Sequence, residues 1–142
     1  MLINYTIPFS PITKKNHSNI ISRMDENTGK KRSYIVPSSQ FLSFQDKCGW
    51  FLKPLPEAPI DTPVNIKYSF YMDTMRVVDI TNLFSAMDDI LEHFEVIKND
   101  NCKIVVGHDG SRVYYDKENP RVEIEITDTE PTFVKPELVK KK

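Results

Sequence analysis

Seven apolar residues between Arg76 and Asn101, namely Ile80, Leu83, Phe84, Met87, Ile90, Leu91 and Phe94, recur at steps of three and four. That spacing stacks apolar side chains on one face of a helix, and a chain that carries it must bury that face. At about 100° per residue, Thr81, Asn82, Ser85, Asp89 and Glu92 fall on the opposite face, with Asp88 on its border and Asp79 at the start. A short apolar step, Val96-Ile97, leads to Asp100; a strand or turn there would return the chain beside the helix start.

Two readings of these acids follow from their chemistry. Asp79 suits a helix N-cap, where a carboxylate accepts orphan backbone N–H groups. Asp88, Asp89 and Glu92 suit a solvated face, and Asn99-Asp100-Asn101 suits a turn. Alternatively, carboxylates from two segments meet and hold a divalent cation.

The rest of the chain supplies a sheet and a second helix. Met1 to Pro8 reads as a strand with Ile3, Tyr5 and Ile7 on one side. Two short strands, Asn19 to Arg23 and Ser33 to Val36, flank a turn-rich connection that ends in Lys30-Lys31-Arg32. Pro37-Ser38-Ser39 is a helix start, and Phe41, Leu42, Phe44, Cys48, Phe51 and Leu52 keep helical spacing to Lys53, with Trp50 near that stripe. Pro54, Pro56 and Pro59 stop the helix. From Thr62 to Met72, Val64, Ile66, Tyr68, Phe70 and Met72 alternate with polar residues, as a strand with one buried face requires.

Arg76 to Val78 extends a strand into the acidic helix, which would put Asp79 at a strand-to-helix junction. Lys103 to His108 and Arg112 to Tyr115 read as a hairpin about His108-Asp109-Gly110-Ser111. Arg121 to Ile126 is a last alternating strand. The predicted fold class is α+β, a mixed sheet of five to seven strands packed against two main helices at about 38–53 and 80–94. One domain spans 1–127, and 128–142, rich in proline and charge, reads as a flexible tail.

Composition excludes several classes. No apolar run reaches membrane-spanning length and no signal-peptide pattern opens the chain, so a cytoplasmic protein is expected. Cys48 and Cys102 lack metal or disulfide spacing, and Cys48 lies on an apolar helical face. His17, His93 and His108 are not spaced as a cluster and read as incidental. The net charge of −1 conceals a division: residues 1–53 carry 8 Lys/Arg against 3 Asp/Glu, and residues 54–101 carry 3 against 9. A basic segment suited to a phosphate backbone thus precedes an acidic one suited to metal. Lys14, Lys15, Asn16, Lys30, Lys31, Arg32, Arg76, Lys98 and Lys103 are the candidate DNA contacts, and Trp50 and Tyr115 are aromatic residues suited to base stacking.

Asp79-x-x-Asn82-Leu83, then Asp89, then Val96-Ile97 leading to Asp100 resembles the core motif of the RusA-type Holliday-junction resolvases, D-x-D-N-L-x-K…D-x-L…G-V-x-x-D-D. Pro11-Ile12-Thr13-Lys14-Lys15-Asn16, Asn19-Ile20-Ile21 and Pro37-Ser38-Ser39 resemble phage members of that family, and the similarity runs from about Ile3 to Ile126. Three positions depart from the pattern: Thr81 for the second aspartate, Ser85 for the lysine, and Asn99 for the first of the closing acidic pair.

The resemblance implies a phage or prophage endodeoxyribonuclease that cleaves branched DNA by metal-assisted phosphodiester hydrolysis, using Mg2+ with Mn2+ as a substitute. It implies Asp79, Asp100 and Asp89 as metal ligands, and Asn82 as a residue that orients a ligand or a metal-bound water. In place of the family lysine, Lys98 or Lys103 would supply positive charge. It also implies a homodimer, because a four-way junction offers two symmetric strands to two-fold-related sites. The alternative is a junction-binding protein on the same scaffold with weakened or lost catalysis, which Thr81, Ser85 and Asn99 favour.

Overall fold

The computed structural model describes residues 1–14, 18–24 and 26–136. Strands and helices follow in the order β1 (Leu2–Ile7), β2 (Ser18–Met24), β3 (Lys31–Pro37), α1 (Ser39–Cys48), β4 (Val64–Met72), α2 (Ile80–His93), β5 (Val105–Gly107), β6 (Arg112–Tyr115) and β7 (Arg121–Asp128). As the alternation and helical spacing predict, this is an α+β arrangement with a mixed sheet and two helices. β1, β7 and β4 are adjacent and antiparallel, and β5 and β6 both run parallel to β4 along its other edge. β2 and β3 form a separate two-stranded hairpin.

Alternate residues of β4 and β7 are buried, because successive strand side chains point to opposite faces. Val64, Ile66, Tyr68, Phe70, Val122, Ile124 and Ile126 form one core with Phe41, Phe44 and Cys48 of α1 and Leu83, Met87, Ile90 and Leu91 of α2. Both helices therefore cover the same face of the sheet. Burial stabilises each large apolar side chain by about 1.5–3 kcal/mol relative to exposure, so the stripe on α2 fixes the roll of the helix. Among the described residues, no helix is long and apolar enough to cross a membrane.

The structure corrects four local expectations. First, α1 starts where predicted, with Ser38 Oγ accepting from Phe41 N at 3.2 Å, but ends at Cys48 instead of Lys53. Its C-cap, Gly49, lies under the Phe94 ring, and a Cβ there would be 2.6 Å from Phe94 Cε1. Second, beyond that cap the chain leaves the helical path, so Trp50 is 73 % exposed and not packed in the core. Third, Arg76 to Val78 is irregular, and Asp79 sits at a loop-to-helix junction.

Fourth, β5 and β6 do not pair with each other as a hairpin. Both lie along β4 in the same direction, as one edge strand interrupted by a turn. Across the interruption, side chains replace the missing ladder. Ser111 Oγ accepts from Tyr68 N at 2.9 Å, and His108 Nδ1 lies 2.8 Å from Ile66 O. Asn65 brackets the turn, accepting from Asp109 N at 2.8 Å and donating to Asp109 O at 3.2 Å. The buried backbone groups of β4 thus keep partners where no strand lies beside them.

Candidate metal centre

Helix α2 begins at Asp79, whose Oδ1 accepts from Thr81 N at 3.0 Å and from Thr81 Oγ1 at 2.6 Å. The capping role expected of a carboxylate there is realised, and Thr81 adds a hydroxyl to the same oxygen. Asn82, half-buried, donates its backbone N–H to Asp79 O at 3.1 Å.

Ten residues further along, Asp89 and Glu92 stand three apart on one helix face, where side chains are neighbours. After the helix, Glu95 takes a left-handed φ of 62° and the chain reverses. Val96 N donates to Leu91 O at 2.9 Å, and Ile97 forms a parallel bridge with Ile60. Asn99 Oδ1 then accepts from Asn101 N at 2.9 Å, and Asn101 Oδ1 from Lys103 N at 3.0 Å, turns that bracket Asp100.

Carboxylate oxygens of Asp89, Glu92 and Asp100 come within 4.8 Å of one another. The return segment thus brings Asp100 to the acids in the second half of α2. Asp79 stands outside this group, separated from Asp89 by about 15 Å of helix. Partial burial, followed by the negative charges of Asp89 and Asp88, raises the pKa of Asp100 above the usual carboxylate value. Lys14 reaches the group from the loop after β1, with its Nζ 3.1 Å from Asp89 Oδ2.

Asp88, one residue before Asp89, points the other way and is 8 % exposed. Its Oδ1 accepts from Tyr68 OH at 2.6 Å, and its Oδ2 lies 2.9 Å from His108 Nε2. With acceptors at both ring nitrogens, His108 is arranged to donate twice, as imidazolium does. Burial alone presses it toward the neutral form, but Asp88, the Ile66 carbonyl and Asp109 outweigh that and raise its pKa. The ring also stacks on Phe84, with centroids 4.4 Å apart.

His108 is thus neither incidental nor surface-exposed, and Asp88 is not part of a solvated face. Sequence spacing placed Asp88 at a border angle, where one further step toward the core turns a charge inward. Glu92 was visible only as one of several face acids, although its i, i+3 relation to Asp89 carried the signal.

The remaining candidates are more dispersed. Lys15, Asn16 and His17 lie outside the described residues, and Arg32 lies on β3, where only the backbone is described. Lys30 and Lys31 are exposed at the end of the β2–β3 connection. Arg76 lines a hollow with Ser10, Thr13 and Val77, and Lys98 and Lys103 are exposed on either side of Asp100 in sequence. Burial pushes the Cys48 thiol up to about 12, too high for a thiolate nucleophile. Tyr115 is half-exposed on the edge strand β6.

Three carboxylates are hard oxygen donors suited to magnesium or manganese, and the pKa of Asp100 is raised by its partial burial and then by the negative charges of Asp89 and Asp88. No curated protein matches the chain. Residues 8–127 match the sequence model of the family described as Endodeoxyribonuclease RusA, which covers most of the 142 residues, and the chain belongs to that family of Holliday-junction resolving endonucleases.

Proposed function

We propose that this protein cuts four-way DNA junctions as a homodimer, in a reaction dependent on Mg2+ and supported by Mn2+. The single observation that supports it most is the Asp89, Glu92 and Asp100 cluster, with carboxylate oxygens within 4.8 Å, in a chain of an endodeoxyribonuclease family. These three residues are the proposed metal ligands. A divalent ion there would offset charge on the scissile phosphate and lower the pKa of an attacking water.

The chain's own residues do the rest. Asp89 and Glu92 are fixed by the buried stripe of α2, and Asp88 is tied to Tyr68 and His108 so that the helix cannot roll. Lys30 and Lys31, with Lys15, Arg32, Arg76, Lys98 and Lys103, are assigned to the phosphate backbone. Asp79 and Asn82 are assigned to catalysis from the start of α2, on the strength of the family motif.

The test is single-turnover cleavage of a synthetic four-way junction in Mg2+ by Asp89→Asn, Glu92→Gln, Asp100→Asn and Asp79→Asn, with Mn2+ binding measured in parallel. Loss of cutting in all four, with loss of Mn2+ affinity in the first three, is expected. Undiminished cutting by Asp89→Asn and Asp100→Asn overturns the ligand assignment. Sedimentation of the protein alone tests the dimer.

A second reading, a junction binder without catalysis, is favoured by one observation. Thr81 stands where the motif has an acid, and its hydroxyl occupies Asp79 Oδ1 at 2.6 Å. Tight junction binding without cutting in any divalent ion would select it.

A further inference from the structure

We infer that Lys14 is a catalytic residue of this site, contacting the scissile phosphate beside the acidic triad; the inference rests on the nuclease reading above and specifies its chemistry. The fold delivers the side chain to that place. Thr13 is 6 % exposed, so the chain is anchored immediately before Lys14. The Lys14 ammonium lies 5.4 Å from the Phe41 ring centroid and 3.1 Å from Asp89 Oδ2. It is one carboxylate away from the centre of the triad. Lys98 and Lys103 flank Asp100 in sequence, but among the described residues Lys14 is the cation found in an ion pair with a triad acid.

Charge makes a cation necessary there. Asp88 is matched by His108, which leaves Asp89, Glu92 and Asp100 facing a phosphodiester that brings another negative charge. In hydrolysis a water oxygen bonds to phosphorus, the bond to one deoxyribose oxygen breaks, and the water's proton ends on that oxygen. Negative charge rises on the phosphoryl oxygens during the exchange, and a positioned cation stabilises that state more than the ground state. Lys14 contributes its positive charge and takes no part in the proton transfer. Its side chain is 41 % exposed, and its flexible stem lets the ammonium turn from Asp89 to a phosphoryl oxygen once the charge of the triad is neutralised.

The experiment compares the unaltered protein with Lys14→Met, Lys14→Gln and Lys14→Arg in three measurements. These are Mn2+ affinity of the protein alone, affinity for a four-way junction without divalent ions, and single-turnover cleavage at saturating junction and Mg2+. Lys14→Met and Lys14→Gln are expected to slow saturated cleavage about a hundredfold. Their junction affinity is expected to stay within about threefold, one phosphate contact among many, with Mn2+ affinity unchanged or tighter. Lys14→Arg is expected to recover part of the rate.

An unchanged saturated rate with tighter Mn2+ binding would overturn the assignment by making Lys14 a mere counter-ion of Asp89. An unchanged saturated rate with weakened junction binding would overturn it by making Lys14 a tether. If the unaltered protein cuts in neither Mg2+ nor Mn2+, the nuclease reading itself fails and takes this assignment with it.

Discussion

His108 and Asp88 meet across 2.9 Å, ring Nε2 to carboxylate Oδ2, and join the interrupted edge of the sheet to the middle of α2. Tyr68 completes the junction from β4, so three segments distant in sequence share one carboxylate. Asp88 is nearly enclosed and both its oxygens are engaged. Removing any partner would therefore strand polar atoms away from water.

The first consequence concerns pH. The folded-state pKa of His108 lies above its ordinary value, so the folded protein holds this proton more tightly than the unfolded chain. The resulting stability is fully present below the ordinary histidine pKa and is lost as pH rises through the raised one. Urea unfolding on either side of that window should show the decline. His108→Gln should flatten it, and an equal slope in both proteins would contradict the pairing.

Truncating Asp88 should be severe. Asp88→Ala leaves His108 without its carboxylate and Tyr68 OH without an acceptor, at an expected cost of about 3–5 kcal/mol. Tyr68→Phe removes one hydrogen bond to a charged group and should cost about 1.5–3 kcal/mol. Because the two changes share a partner, the double variant should fall short of their sum in denaturant unfolding.

Asp100, partly buried beside Asp89 and Asp88, should oppose folding until a divalent cation arrives. Asp100 has a raised pKa, so stability falls as pH climbs from the ordinary carboxylate value through the raised one. Asp100→Asn should melt higher than the unaltered protein without divalent ions, and Mg2+ should raise the melting temperature only of the unaltered protein. Thermal melts with and without Mg2+ decide it.

The two helices touch at Gly49. An added methyl there would press into the Phe94 ring at 2.6 Å, so Gly49→Ala should cost about 1–3 kcal/mol despite its better helix propensity. Equilibrium unfolding that shows Gly49→Ala as stable as the original would mean that the ring moves aside freely.

Asp79 offers a separable test of capping. Asp79→Asn keeps an N-cap acceptor and should leave stability within a few tenths of a kcal/mol, whereas Asp79→Ala should cost about 1 kcal/mol. Comparison of the two by denaturant unfolding isolates the cap from any part Asp79 plays in cutting.

Helix α2 and strands β4 and β7 were legible because burial on one face leaves a regular period in the residues. The path between β5 and β6 was not, because His108 and Ser111 complete the β4 ladder with side chains, and Gly110 with its neighbours spells the same turn in a true hairpin. The end of α1 falls at Gly49, packed against the Phe94 ring, while the apolar spacing of Phe51 and Leu52 runs on past it. The family motif singled out Asp89 and Asp100 as candidates. Glu92 neighbours Asp89 on the helix itself, and Asp100 reaches the pair only because the chain doubles back after Glu95. The inward turn of Asp88 depends on Tyr68 and His108, whose nearness exists only once the sheet has formed.

Asp88 and Asp89 are consecutive, yet one is fastened in the interior and the other opens toward solvent. A helix advances about 100° with each residue. Inserting or deleting one residue between Asp79 and Asp88 would carry the fastening point off its partners and swing the outward acid away from Asp100. The length of this segment is thus dictated from both of its sides, so its side chains are freer to change than its number of residues.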